Sequence, residues 1–207
     1  VPRPVDPALR RARRLQIIDA GLTAFAEHGV GATTAQICRI AGIGSGTFFH
    51  HFPTKDSLLL AILELGAEET RAFFATRASD VAPRRTLLDY VTHAVADLTD
   101  PRAAAFIPVV GAAAMRPEIA AALQVEEDTI RTSLRGVVAE AQRQADVRTD
   151  LTADRLAVWI MLLIDGFAAR VAGGGFDAVA ETPLLIKQVE MLLDGAAFAP
   201  DMRPRSR

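Results

Sequence analysis

Between Gly29 and Pro53 the chain has room for two short helices and no more. A first helical run ends at His28-Gly29; its apolar residues Leu15, Ile18, Leu22 and Phe25 recur at spacings of three, four and three, one face of a helix. Thr33 and Gln36 then have the spacing of a capping box. Ile37 and Ile40 or Ala41 supply an inward face over barely two turns before Gly42. A third helix fits Gly44 to Phe52 and stops at Pro53, which has no N–H to donate. Helices this short bury too little to stand alone, so the three must pack as a tripod around Phe25, Ile37, Phe48 and Phe52. Thr54 next caps a long fourth helix, in which Leu58, Ile62 and Leu65 lead toward Phe73 and Phe74.

The rest of the 207 residues also reads as helix, over Arg84–Leu98, Pro101–Val110, Pro117–Gln144, Thr152–Val171 and Thr182–Leu193. No run alternates like a strand. The expected fold is all-α, a three-helix head over residues 8–53 on a helical body over 54–195. Residues 1–7 read as an arm and 196–207 as a flexible tail. The formal charge of -2 hides an asymmetry. Residues 1–55 hold seven Lys/Arg against three Asp/Glu, a net +4, and the remainder sixteen against twenty-two, a net -6. A basic end on an acidic body suits a polyanion at that end only; a charged, solvated terminus is the plainer alternative.

Placed on a helix at about 100° per residue, Phe48 and Phe52 point inward, with His51 near that side. Gly46 and His50 fall on the opposite face, flanked by Thr47 and Phe49. Two features of this outer face resist a purely internal account. Phe49 is a large apolar ring beside solvent, and Gly46 costs about 1 kcal/mol against alanine within a helix. Two short helices joined by a tight turn in a basic segment form a helix-turn-helix layout, whose second helix enters the major groove.

The segment "RRLQIIDAGLTAFAEHGVGATTAQICRIAGIGSGTFFHHFPTKDSLLLAIL" resembles the N-terminal domain of the TetR family of bacterial transcriptional regulators. The match runs from about Arg13 to Leu63 and is densest at "AF-x-x-HG", Thr33-Thr34, "I-x-x-IAGI", "G-T-F-F-H-H-F" and Thr54-Lys55. The resemblance implies that Thr33 and Thr34 open the second helix near a phosphate. It implies that Ser45, Gly46, Thr47, Phe49 and His50 face DNA and that Lys55 meets backbone phosphate. Two positions depart from the family pattern. Phe49 stands where a tyrosine is usual and lacks its hydroxyl, and Gly44 stands where serine or threonine often caps. Arginines 10, 11, 13 and 14 can compensate through phosphates. The resemblance further implies a cytoplasmic, nucleoid-associated bacterial regulator. It would bind a double-stranded DNA operator as a homodimer, as a repressor that answers to a small-molecule effector.

The body offers its own support. Thr152–Val171 is apolar on Leu156, Ile160, Leu163, Phe167 and Val171, and again on Val158, Trp159, Met161 and Leu162. A helix apolar on so much of its circumference needs partners on two sides. With Leu185, Val189 and Leu192 of the last helix, a four-helix interface with a second copy is expected. The alternative is a hairpin buried within one chain. Phe73, Phe74, Tyr90, His93, Phe106, Met115, Trp159 and Met161 supply an aromatic and sulfur-bearing surface for a mostly apolar ligand, or else simply core. Asp165 is a polar handle there and needs a partner, for which Arg170 is one candidate.

Other chemistries find less support. Cys38, the sole cysteine, sits between core positions in a short helix and reads as a buried thiol rather than the nucleophile of a thiol-dependent enzyme. His50 and His51 are adjacent, so a helix splays them, and no i,i+4 metal pair is present. "GIGSG" follows a helix and lacks the context of a nucleotide loop. No cofactor or metal is expected. The basic N-terminus lacks the apolar run of a signal peptide, and Leu156–Val171 is too short and charged to span a membrane. A helical protein–protein adaptor that ignores DNA is the remaining alternative.

Overall fold

Each helix of the head starts and stops on a residue suited to that end. Asp6 accepts from the Ala8 N–H and Pro7 takes the first position of α1, Pro7–His28. Pro7 therefore belongs to the helix and not to the expected arm. Thr33 and Gln36 close a reciprocal capping box on α2, Thr34–Ala41, and Gly42 ends it in the left-handed region at φ 63°. Helix α3, Ser45–His51, opens from Gly44 with no side-chain cap and ends before Pro53. Thr54 and Ser57 form a second capping box on α4, Lys55–Thr76. The computed structural model describes residues 6–77 and 82–195, so the rest of the arm and the tail from residue 196 lie outside the described residues.

The body follows as α5 (Pro83–Ala96), α6 (Pro101–Ala113), α7 (Pro117–Arg143), α8 (Ala153–Ala172) and α9 (Ala178–Asp194). Among the described residues no strand occurs, and no helix is long and apolar enough to cross a membrane. Helix α9 begins a turn before the expected Thr182. Asp177 accepts from the Val179 and Ala180 N–H groups, an N-cap stronger than threonine's, and Pro183 then lies inside the helix.

The tripod core forms as the spacing requires: Phe25, Ile37, Phe48 and Phe52 are all buried. On α1 the inward positions are Ile17 and Ile18, and Leu15 is exposed. Packing does not break at residue 53. The head's core runs on through Leu58 and Leu63 of α4, Phe106 and Val109 of α6, and Ile119 of α7. Phe25 and Phe106 meet with ring centroids 5.9 Å apart.

A second core holds the body together around Leu87, Leu134, Leu156 and Ile160. It also claims the residues expected to contact a second copy. Leu156, Ile160, Phe167, Leu185 and Val189 are buried within one chain, and Leu163 and Leu192 pack partly buried against the same cluster. The five buried residues face the protomer's interior, where α8 packs on α5, α6 and α7 and α9 packs on α5 and α8. The outward large apolar residues of α8 and α9 are instead Trp159, Leu162, Val179, Leu184 and Met191.

Helices α1 and α4 meet closely at Gly21. A Cβ there would lie 2.7 Å from Leu58 Cδ2 and 3.1 Å from its Cγ, and Leu58 is fully buried. Gly21→Val should therefore lower the unfolding free energy by about 2 kcal/mol or more through overpacking. Chemical denaturation checks this; an unchanged midpoint would mean that the α1–α4 crossing can open freely.

Candidate nucleic-acid interface and body cavity

Helix α3 is too short to persist by itself and is held by Phe48 and Phe52 beneath it. Its remaining face, Ser45, Gly46, Thr47, Phe49 and His50, is exposed. Phe49 is 51% exposed and rests edge-on against Phe48 at 5.3 Å. A Cβ placed on Gly46 meets nothing within 4 Å. Nothing inside the chain requires glycine there, so the residue's helix penalty has no internal counterpart.

Positive charge gathers near the C-terminal end of this helix. Burial, followed by the fields of His50, Arg10, Arg14 and Arg13, holds the His51 imidazole below the usual histidine value. The N-terminal half of α1 therefore stands near the C-terminal end of α3. Arg14 lies over the Phe52 ring at 4.6 Å and 3.9 Å from Glu64, a tethered cation. Arg10 and Arg11 remain exposed.

Two expected phosphate contacts look different in place. Thr33 donates its hydroxyl hydrogen to Gln36 Oε1 at 2.8 Å, so its donor is used within the cap, while Thr34 occupies the first position of α2. Lys55 turns inward: its Nζ donates to the carbonyls of Val30 at 2.6 Å and Ala32 at 2.9 Å. The ammonium fastens the start of α4 to the link between α1 and α2, and only its third donor is left for a phosphate.

The aromatic and sulfur-bearing residues of the body do not form one wall. Phe73, Phe74 and Tyr90 pack against one another where α4 meets α5, with Phe73–Tyr90 at 5.5 Å and Phe74–Tyr90 at 4.7 Å. His93 stacks on Phe73 from the exposed side. Met115 is 90% exposed in the α6–α7 turn and Trp159 lies on the outer face of α8. Neither turns toward a ligand space. Phe106, Met161 and Asp165 do converge, on a cavity of about 490 Å³ between α4, α6, α7 and α8. Asp165 makes no ion pair among the described residues. Arg170, five positions on, is turned about 140° away around the helix. Burial and then the charge of Glu127 raise the Asp165 carboxyl above its usual range.

Glu126 and Glu127 line this cavity and were not foreseen. The signal was there: Glu126 and Glu127 fill the gap in the stripe Leu123–Ile130–Leu134, where a carboxylate on an apolar face needs a reason. Burial raises the Glu126 carboxyl, and it raises the Tyr90 phenol well above its usual value, with Glu126 and Asp165 adding to the latter shift. Arg102 was likewise invisible in the sequence. Its guanidinium donates to Asp19 Oδ1 and Thr23 Oγ1 of α1, both at 3.0 Å, while its Nη2 holds Asp100 Oδ2 at 2.8 Å. It clamps the N-terminus of α6 to the head.

Residues 17–62 match the family model described as bacterial regulatory proteins, tetR family. Residues 83–194 match that of the BetI-type transcriptional repressor, C-terminal. Over 174 residues the chain is 32% identical to the HTH-type transcriptional repressor Rv1474c of Mycobacterium tuberculosis, covering 79% of this chain and 84% of that one. A TetR transcription regulator from Haloarcula marismortui superposes with a TM-score of 0.77 at 18% identity, covering 89% of this chain and 98% of that one. The transcriptional regulator FadR from Bacillus subtilis, solved in complex with stearoyl-CoA, gives 0.70 at 19% identity, covering 88% and 99%. At those identities the two structures speak to fold alone.

Lys55→Met should lower the stability of the free protein by about 1–2 kcal/mol, since it removes two charged hydrogen bonds at a half-buried position. Urea denaturation without DNA reads this; full stability would return the lysine to a phosphate-only role.

Proposed function

The chain belongs to the TetR family of bacterial regulatory proteins, and from that premise we propose that it is a cytoplasmic, nucleoid-associated repressor. It binds a palindromic operator as a homodimer and leaves it when a mostly apolar small molecule enters the body. One observation carries the DNA-binding part: the outer face of α3 is exposed, the arginines of α1 stand near its C-terminal end, and its Gly46 answers to nothing within the chain. A backbone must approach something external there, and the major groove suits a helix of this size. On this reading Phe49, without a hydroxyl, packs on sugar or a thymine methyl.

The second copy belongs on the outward residues of α8 and α9. Trp159, Leu162, Leu184 and Met191 are each roughly half exposed and lie on neighbouring helices. An apolar surface of that kind favours a self-complementary two-fold contact. The dimer sets the spacing of the two α3 helices, which must match successive turns of DNA.

Release follows from what the cavity shares with the head. Phe106 lines the cavity and touches Phe25 of α1, and Arg102, one turn earlier on α6, grips Asp19 and Thr23. A ligand that repositions α6 shifts the head, provided it binds the two arrangements with different affinity.

Selection of bound fragments from random duplex DNA, followed by footprinting, should return a two-fold symmetric site whose affinity falls steeply with salt. Binding indifferent to salt or sequence would favour the adaptor. Leu162→Arg, at a position the monomer leaves half exposed, should keep the fold and shift sedimentation to the monomer. It should also weaken operator binding at least tenfold. A variant that stays dimeric would place the interface elsewhere.

A further inference from the structure

We propose that the body cavity is built for a hydrophobic organic cation. This deepens the ligand-release reading and rests on it. The cavity is mostly apolar, with Leu63, Phe106, Ile130 and Met161 on its walls, which sets the character of the ligand's bulk. Its charged residues are all of one sign: Glu126 and Glu127 from α7 and Asp165 from α8. No lysine, arginine or histidine lines it. Among the described residues, none of the three carboxylates lies within ion-pair distance of a basic side chain.

The three are not equivalent. Glu127 and Asp165 stand at the exposed rim, and Glu126 reaches further in. Its Oε1 lies 3.3 Å from where a Cβ on Gly66 would be, so the absence of a side chain at Gly66 leaves the carboxylate its place beside α4. A carboxylate drawn into an apolar space without a partner is unfavourable, and a cation entering that space relieves it. An anionic head would meet three like charges with no donor to offset them. The sign of the ligand's charge is thus set by the walls, and its size by a volume of about 490 Å³.

Tetraphenylphosphonium and tetraphenylborate have nearly the same shape and opposite charge, so calorimetric titration of the intact dimer with each isolates the sign. The phosphonium should bind at least about tenfold tighter than the borate. Glu126→Gln and Asp165→Asn should each weaken the phosphonium severalfold, with thermal melts confirming that both variants fold. No phosphonium binding, no preference between the two ions, or affinity unchanged in both variants would overturn the cation assignment. Operator binding, measured with each ion and with stearoyl-CoA, separates the two claims. If the phosphonium binds with the expected selectivity but leaves operator affinity unchanged, the cation site stands and release by this cavity fails. If the borate or stearoyl-CoA releases the operator and the phosphonium does not bind, release stands and the cation assignment falls.

Discussion

The head has no complete core of its own, and the rest of the structure follows from that constraint. Three short helices bring Phe25, Phe48 and Phe52 together, but the hydrophobic cluster closes only when Leu58 of α4, Phe106 of α6 and Ile119 of α7 join it. Gly21 lets α4 come near enough to seat Leu58 against α1. A head packed in this way cannot be repositioned by a loose linker. Its orientation is a property of α4 and α6, the helices that also wall the body cavity. The polar contacts reinforce the same joint: Lys55 fastens α4 to the α1–α2 link, Arg102 fastens α6 to α1, and Arg116 reaches Asp56 at 2.5 Å.

What remains outside these cores is what can meet other molecules. On the head it includes the outer face of α3 with Arg10 and Arg11 of α1, and on the body it includes the exposed apolar residues of α8 and α9. The charge asymmetry of the sequence maps onto this division. On the proposed reading, a net positive head presents itself to a polyanion, while the acidic body would repel one and confine contact to α3 and its surroundings.

Much of this was legible in the residues because it depends on short-range rules. Gly42, Pro53 and the two capping boxes mark helix ends by local chemistry, and the spacing of Phe48 and Phe52 marks an inward face. Long-range placement was not legible. The apolar stripe of Leu156, Ile160 and Phe167 looked available to a second copy, yet it fills the protomer's own core, since periodicity identifies a buried face without naming its neighbour. Helix α9 hid its start for a local reason: Thr182-Pro183 mimics a helix opening, and Asp177 opens the helix earlier. Lys55 finds its partners 23 and 25 residues away, and Arg102 reaches Asp19 across 83, so no local pattern announces those contacts. The cavity needed four helices to be placed before Glu126, Phe106 and Asp165 could be seen as one surface.

The small size of the coupling joint bears on how little a ligand must do. Couplings between sites are typically about 1–3 kcal/mol, enough for roughly 5- to 150-fold changes in affinity. Removing a buried phenylalanine ring from its packing costs about 3–5 kcal/mol. Phe106 has one side on the cavity and its ring against Phe25 of α1. A partial loss of that one contact is therefore commensurate with the whole of a regulatory response. The clamp at Arg102 adds less, because its partners are partly exposed and such pairs contribute roughly 0–1 kcal/mol. Its contribution lies in direction: bonded to both Asp100 and Asp19, it ties the N-terminus of α6 to the middle of α1. On the proposed release mechanism, energy would enter through the ring and geometry through the guanidinium, so a ligand that displaces Phe106 would turn the face that α3 presents.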